Sequence, residues 1–156
     1  MAATGREGTK LGRSRFRLGF GFMLIFAAAS PAQNHSRAIH RQLSHVAGAL
    51  AAGNPSDAIT PFDRSFDGYS QLSDDFTGLT NAYRIVNEIE VRDEEIQNGE
   101  ATFLVHWVMT LSDFENQNSE IRTEDVTVKL KLKKYEWHIV GFSPLEFFDP
   151  ELRHSK

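Results

Sequence analysis

Six histidines are the first residues to test for chemistry, because imidazole serves both metals and proton transfer. His35, His40 and His45 recur every five positions. On a helix that spacing sets successive side chains about 140° apart, so they cannot converge on one ion, which wants the i, i+4 step of H-E-x-x-H. They read as solvated side chains, and no metal or other cofactor is expected. His106 and His138 differ. If Phe103, Val105 and Trp107 face inward, His106 faces outward, and inward Trp137 and Ile139 put His138 outward too. Leu104, Val108, Val140 and Phe142 are expected on the same outer face. A surface mixing aliphatic, aromatic and imidazole groups is the chemistry of a contact, here with a second copy of the chain. A plain exposed sheet and a catalytic or metal-binding histidine are the competing readings.

Carboxylates are the second candidates. Asp63, Asp67 and Asp113 fall near one end of the expected fold, with Tyr69 and Tyr83 as potential donors. Phe62, Phe66, Phe76, Tyr83, Phe103, Trp107, Met109 and Trp137 either line an internal pocket for a small hydrophobic ligand or fill a core. Asn87 shares a face with Ile85, Ile89 and Val91, as a buried amide or a group that orients a ligand. Few inward positions are ionisable, which counts against general acid–base catalysis. No G-x-S-x-G, P-loop, G-x-G-x-x-G or cysteine site is present. Asp93-Glu94-Glu95 reads as a solvated run. Lys129, Lys131, Lys133 and Lys134 read as guards against stray strand pairing, an anion-binding stripe being the alternative.

The elements that must position these groups follow from hydrophobic period. Ile39, Leu43, Val46 and Leu50 step by four, three and four, predicting a helix over 36–53 with Ser36 as N-cap and Gly53-Asn54-Pro55 as the stop. A second helix is expected from 56 towards 66, limited by Pro61, and a third over 70–82. From Arg84 the period becomes two. Strands are expected from 84, from Ala101 to Leu111, near 121–133 and over 136–142, with Asn98-Gly99 as the first hairpin turn. Helices followed by antiparallel strands make an α+β fold: three N-terminal helices on a curved four-stranded sheet.

The first 32 residues stand apart. Five cationic residues precede the apolar run Leu18 to Ala29, which ends at Ser30-Pro31-Ala32. Basic, apolar, small is the order of a secretory signal peptide, cut between Ala32 and Gln33. The run is about 12 residues against roughly 20 for a bilayer span, so no stable membrane anchor is expected. The expected product is residues 33–156, one domain, secreted or periplasmic. Residues 33–156 hold 12 Lys and Arg against 20 Asp and Glu, a net of -8 compared with -4 for the whole chain. Such a surface opposes phosphate backbones, so nucleic acid is not an expected partner.

The alanine-rich helix ending at Gly53-Asn54-Pro55, the run Gly99-Glu100-Ala101-Thr102-Phe103 leading to Trp107, and Trp137-His138-Ile139-Val140 near the end resemble the SnoaL-like, nuclear transport factor two-like (ketosteroid-isomerase-like) superfamily over residues 36–148. The resemblance implies a cone, with a bent sheet wrapped around helices. Members include enzymes and proteins that only bind or assemble. The expected role is non-catalytic: binding a small hydrophobic ligand, or homodimer assembly through the sheet face. The alternative is an isomerase or hydratase with a carboxylate base in the cone. The family's catalytic positions do not align onto this chain.

Overall fold

The computed structural model describes residues 31–152. The apolar run of the expected signal lies outside them. The expected cut after Ala32 falls in the first turn of helix α1, Pro31–Ala51. α1 thus begins before Ser36, which is not its N-cap. The Ser36 hydroxyl instead reaches both carboxylate oxygens of Glu94, at 3.1 and 2.9 Å. The helix stops where expected. Gly53 takes φ +69°, its N–H donates to the Leu50 carbonyl, and the Asn54 N–H donates to that of Ala49. Those two bonds close a Schellman motif.

Asn54 then caps α2, Pro55–Ala58, by accepting from the Asp57 N–H, with Pro55 at the first position. This helix is four residues long and does not run towards 66. Residues 61–63 leave the helical path to bond a sheet edge: the Ile139 N–H donates to the Pro61 carbonyl and the Asp63 N–H to the Ile139 carbonyl. α3, Tyr69–Ala82, covers the expected third helix and buries Leu72, Phe76 and Leu79, at steps of four and three.

Four strands follow as an antiparallel meander in chain order: β1 Tyr83–Gln97, β2 Glu100–Asp113, β3 Ser119–Lys133 and β4 Glu136–Ser143. Asn98 and Gly99 both take positive φ in the β1–β2 turn. The inner face of β2 is Ala101, Phe103, Val105, Trp107, Met109 and Leu111, all buried as their alternation requires. Three helices on a four-stranded antiparallel sheet is the expected α+β class. Among the described residues no helix is long and apolar enough to cross a membrane.

Two bulges change which side chains face inward. The β1–β2 register skips Arg92, so Glu94 and Ile96 turn towards α1 and Asp93 and Glu95 turn out. The β3–β4 register skips Val140, pairing Leu130 with Ile139 but Lys129 with Gly141. Phe142 therefore points inward and is buried, correcting its assignment to the outer face. It packs 6.1 Å from Trp107, ring centre to ring centre.

Candidate functional site

The space between helices and sheet is occupied by side chains. Phe76, Phe103, Trp107 and Met109 expose nothing to solvent, and Phe62 and Trp137 almost nothing. Phe66 and Tyr83 are partly buried against the same core. A 3-10 turn, Leu145–Phe148, adds Phe147 and Phe148, whose ring centres lie 6.3 and 5.4 Å from that of Trp107. Burying each such ring contributes about 1.5–3 kcal/mol. Of the nine pocket candidates, Asn87 is the polar one, and its amide is engaged. It accepts from Trp107 Nε1 at 2.9 Å and donates to the Ala47 carbonyl at 2.9 Å.

The acids named from sequence are committed elsewhere. Asp63 pairs with Lys133 and accepts from the Ser65 backbone and hydroxyl. The bond from Lys133, then those from Ser65, hold its carboxyl well below the usual range. Asp113 accepts from the Glu115 and Asn116 backbone N–H groups of its own turn. Asp67 is exposed. Tyr69 packs against the core, and the Tyr83 hydroxyl lies 3.5 Å from the Pro150 carbonyl.

Two ionisable groups that sequence reasoning missed lie under the C-terminal segment. Arg122 is buried on the inner face of β3, 1% exposed. Its guanidinium donates to the carbonyls of Phe147, Asp149 and Leu152 and to Glu120 Oε1. The parity of β3 predicts its direction, since 122 shares the face of Val126 and Val128. Asp75, on α3, has a buried Oδ2 with no partner. Burial, then the nearby Asp149 charge, pushes its pKa up.

The helical histidines diverge to three partners. His35 Nδ1 lies 3.1 Å from Trp137 Nε1, His40 Nε2 3.2 Å from Glu94, and His45 Nε2 3.2 Å from Asp57. Among the described residues no cluster of three metal-ligating side chains could hold an ion.

His106 and His138 both lie on the outer sheet face, but far apart. His106 sits opposite Asp125, and His138 opposite Lys131 six residues further along β3, about 20 Å at 3.4 Å per residue. His106 Nδ1 lies 2.6 Å from Asp125 Oδ1. Leu104 and Val108 flank it on β2, half-buried; Val140, also half-buried, lies at the His138 end, and Val86 and Ile121, 54% and 67% exposed, lie either side of Thr110.

No protein-family model matches the sequence, and no curated protein is similar to it. Solved structures are similar in fold. A nuclear transport factor 2 (NTF2-like) superfamily protein from Salmonella enterica aligns with TM-score 0.59 and 14% identity, over 72% of this chain and 92% of its own. A Novosphingobium aromaticivorans protein provisionally assigned as a scytalone dehydratase aligns with TM-score 0.64 and 12% identity, over 71% and 83%. A ketosteroid isomerase-like protein from Erwinia carotovora atroseptica aligns with TM-score 0.59 and 8% identity, over 68% and 91%. The chain has the NTF2-like fold. Identities this low speak to fold alone.

Proposed function

We propose that this chain is an exported, non-catalytic assembly module that pairs with a second copy through the outer face of its sheet. The observation that carries this reading is a complementary division of charge across that face. Along β1 the outward Glu88, Glu90, Asp93 and Glu95 outnumber Arg84 and the bulged Arg92, which pairs with Glu90 at 3.0 Å; at the β3–β4 end Lys129, Lys131 and His138 face outward with Glu136, and Lys131 pairs with Glu100 at 3.0 Å. Leu104 and Val108 lie on β2 between them. A two-fold axis through this middle sets the acidic strand of one copy against the basic end of the other, as an isologous contact requires. Filled space between helices and sheet favours assembly over an internal ligand. Export rests on the basic, apolar, small order of residues 1–32.

Sedimentation of residues 33–156 across a concentration series tests the pairing. A dimer is expected, reverting to monomer on Val108→Glu. A double reversal, Glu90→Lys with Lys129→Glu, is expected to restore what either reversal alone weakens. A monomer at every concentration overturns the proposal.

One observation favours the isomerase or hydratase reading: the partly buried carboxyl of Asp75, whose Oδ2 is buried without a partner and whose pKa is pushed up by burial and then by the Asp149 charge, is the kind of group that can act as a base. If it does, Asp75→Asn abolishes turnover in any isomerase or dehydratase screen that the native chain passes.

A further inference from the structure

Midway along β2, on the outer face of the sheet, one imidazole stands among carboxylates. The register sets His106 directly opposite Glu90 on β1 and Asp125 on β3. Glu88 and Asp93 lie opposite its outward neighbours on β2, Val108 and Leu104. Arg92 sits in the bulge of β1 and is bonded to Glu90 at 3.0 Å. On β3 the outward residues beside Asp125 are Thr123 and Thr127, which carry no charge.

The ring is held in one orientation. Its Nδ1 lies 2.6 Å from Asp125 Oδ1. A carboxylate can only accept, so Nδ1 carries the proton and Nε2 keeps its lone pair. Asp125 thereby fixes tautomer and ring direction together, as an outer carboxylate does for histidines that hold a metal. Among the described residues nothing bonds Nε2, and the side chain is 29% exposed.

One copy of the chain cannot hold an ion here, since among the described residues no three His, Asp or Glu side chains converge. A second copy changes the count. The two-fold pairing proposed above centres on Leu104 and Val108, and His106 is the outward residue between them. A residue on a two-fold axis meets its own copy. Pairing therefore turns two Nε2 lone pairs towards each other. It also gathers Glu88, Glu90, Asp93 and Asp125 with their symmetry mates, like charges that oppose contact unless a cation lies among them.

We infer that the outer face binds a zinc-class divalent cation between two copies of the chain, with Nε2 of His106 from each copy as ligands. This rests on the pairing proposed above and names what joins it. Imidazole nitrogen selects zinc and its neighbours over magnesium and calcium, which take oxygen. The carboxylates around the two rings offset the charge of the ion, and Asp125 acts as a positioning residue through Nδ1.

The test is sedimentation and native mass spectrometry of residues 33–156, which hold every described element but the first two residues of α1. Each is run with chelator and with zinc chloride. Zinc is expected to tighten the dimer by about tenfold or more and to appear as one ion per two chains. His106→Gln is expected to abolish that response. Asp125→Asn should weaken zinc binding by roughly 10–100-fold, the usual effect of losing such a partner. His138→Gln, on the same face but far along β3, should leave the response intact. A dimer that holds no zinc and ignores both zinc and chelator overturns the inference while leaving the pairing in place. A monomer under every condition overturns both. Zinc bound one ion to one chain, or a response that survives His106→Gln, puts the ion elsewhere and also overturns the inference.

Discussion

Trp107 and Asn87 are joined across the β1–β2 pair, the indole N–H donating to the amide oxygen at 2.9 Å while the same amide donates to the Ala47 carbonyl. One polar side chain thus satisfies a donor from the sheet and an acceptor from α1, fixing how the helix lies on the strands. Replacing it by leucine leaves the indole N–H unpaired in an apolar surround and removes the side-chain tie to α1. Asn87→Leu is expected to cost about 2–4 kcal/mol of unfolding free energy, measured by urea denaturation. Trp107→Phe made in that background should cost less than in the native chain, because the indole N–H is already orphaned. Equal costs in both backgrounds would mean that the bond contributes nothing.

That amide was visible in the sequence as a polar residue on an apolar face; its two partners were not. Periodicity reads the direction of a side chain but not what lies opposite. The α1 and α3 stripes, the inner face of β2 and the Asn98-Gly99 turn were all legible because each depends on neighbours within a few residues. Phe142 was misplaced because the bulge at Val140 reverses parity after it, and bulges have no strong local signature. Ser36 reads as a cap because its true role, reaching Glu94 58 residues away, depends on the bulge at Arg92. Arg122 was passed over since a charge on an inner face reads as an error of phase until the tail carbonyls that receive it are seen.

Arg122 supports the second prediction. Its guanidinium ties three carbonyls of residues 147–152 to β3 from a position almost wholly removed from water. Arg122→Met leaves those carbonyls without their donor and is expected to destabilise by about 3–5 kcal/mol. Arg122→Lys keeps the charge but not the fork, so an intermediate loss is expected. Hydrogen exchange distinguishes a local from a global effect. In the lysine variant the amides of 147–152 should exchange faster while those of β2 stay protected.

Asp75 and Asp63 give opposite dependences on pH. Burial and Asp149 raise the folded pKa of Asp75 above its ordinary 3.8, so the folded state holds that proton more tightly than the unfolded state does. Its contribution is therefore fully present below 3.8 and is lost as pH rises through the folded value. Asp63 runs the other way. Lys133 and Ser65 depress its pKa, so its contribution is present above 3.8 and is lost as pH falls towards the folded value. Asp75→Asn is expected to stabilise modestly at pH 7, because it removes the charge that burial and Asp149 disfavour. The gain should fade below pH 3.8. A gain that persists undiminished at pH 3 would show that packing, not charge, was responsible. Thermal melts from pH 3 to pH 8 decide it.

The two hairpin turns make the last prediction, because they solve one geometric problem with different residues. Positive φ costs an ordinary L-residue about 1–2 kcal/mol and glycine almost nothing. Tyr135, at φ +75° and 98% exposed, recovers little of that cost from burial within the chain. Tyr135→Gly should therefore stabilise the fold by about 1 kcal/mol, less what glycine gives back through a freer unfolded chain. Lys134→Asn should add a few tenths, since asparagine is the residue most at ease there after glycine. Rebuilding the second turn in the image of Asn98-Gly99 is thus expected to give a higher Tm in thermal melts. A variant that loses stability instead would mean that the Tyr135 ring packs against its own chain in solution.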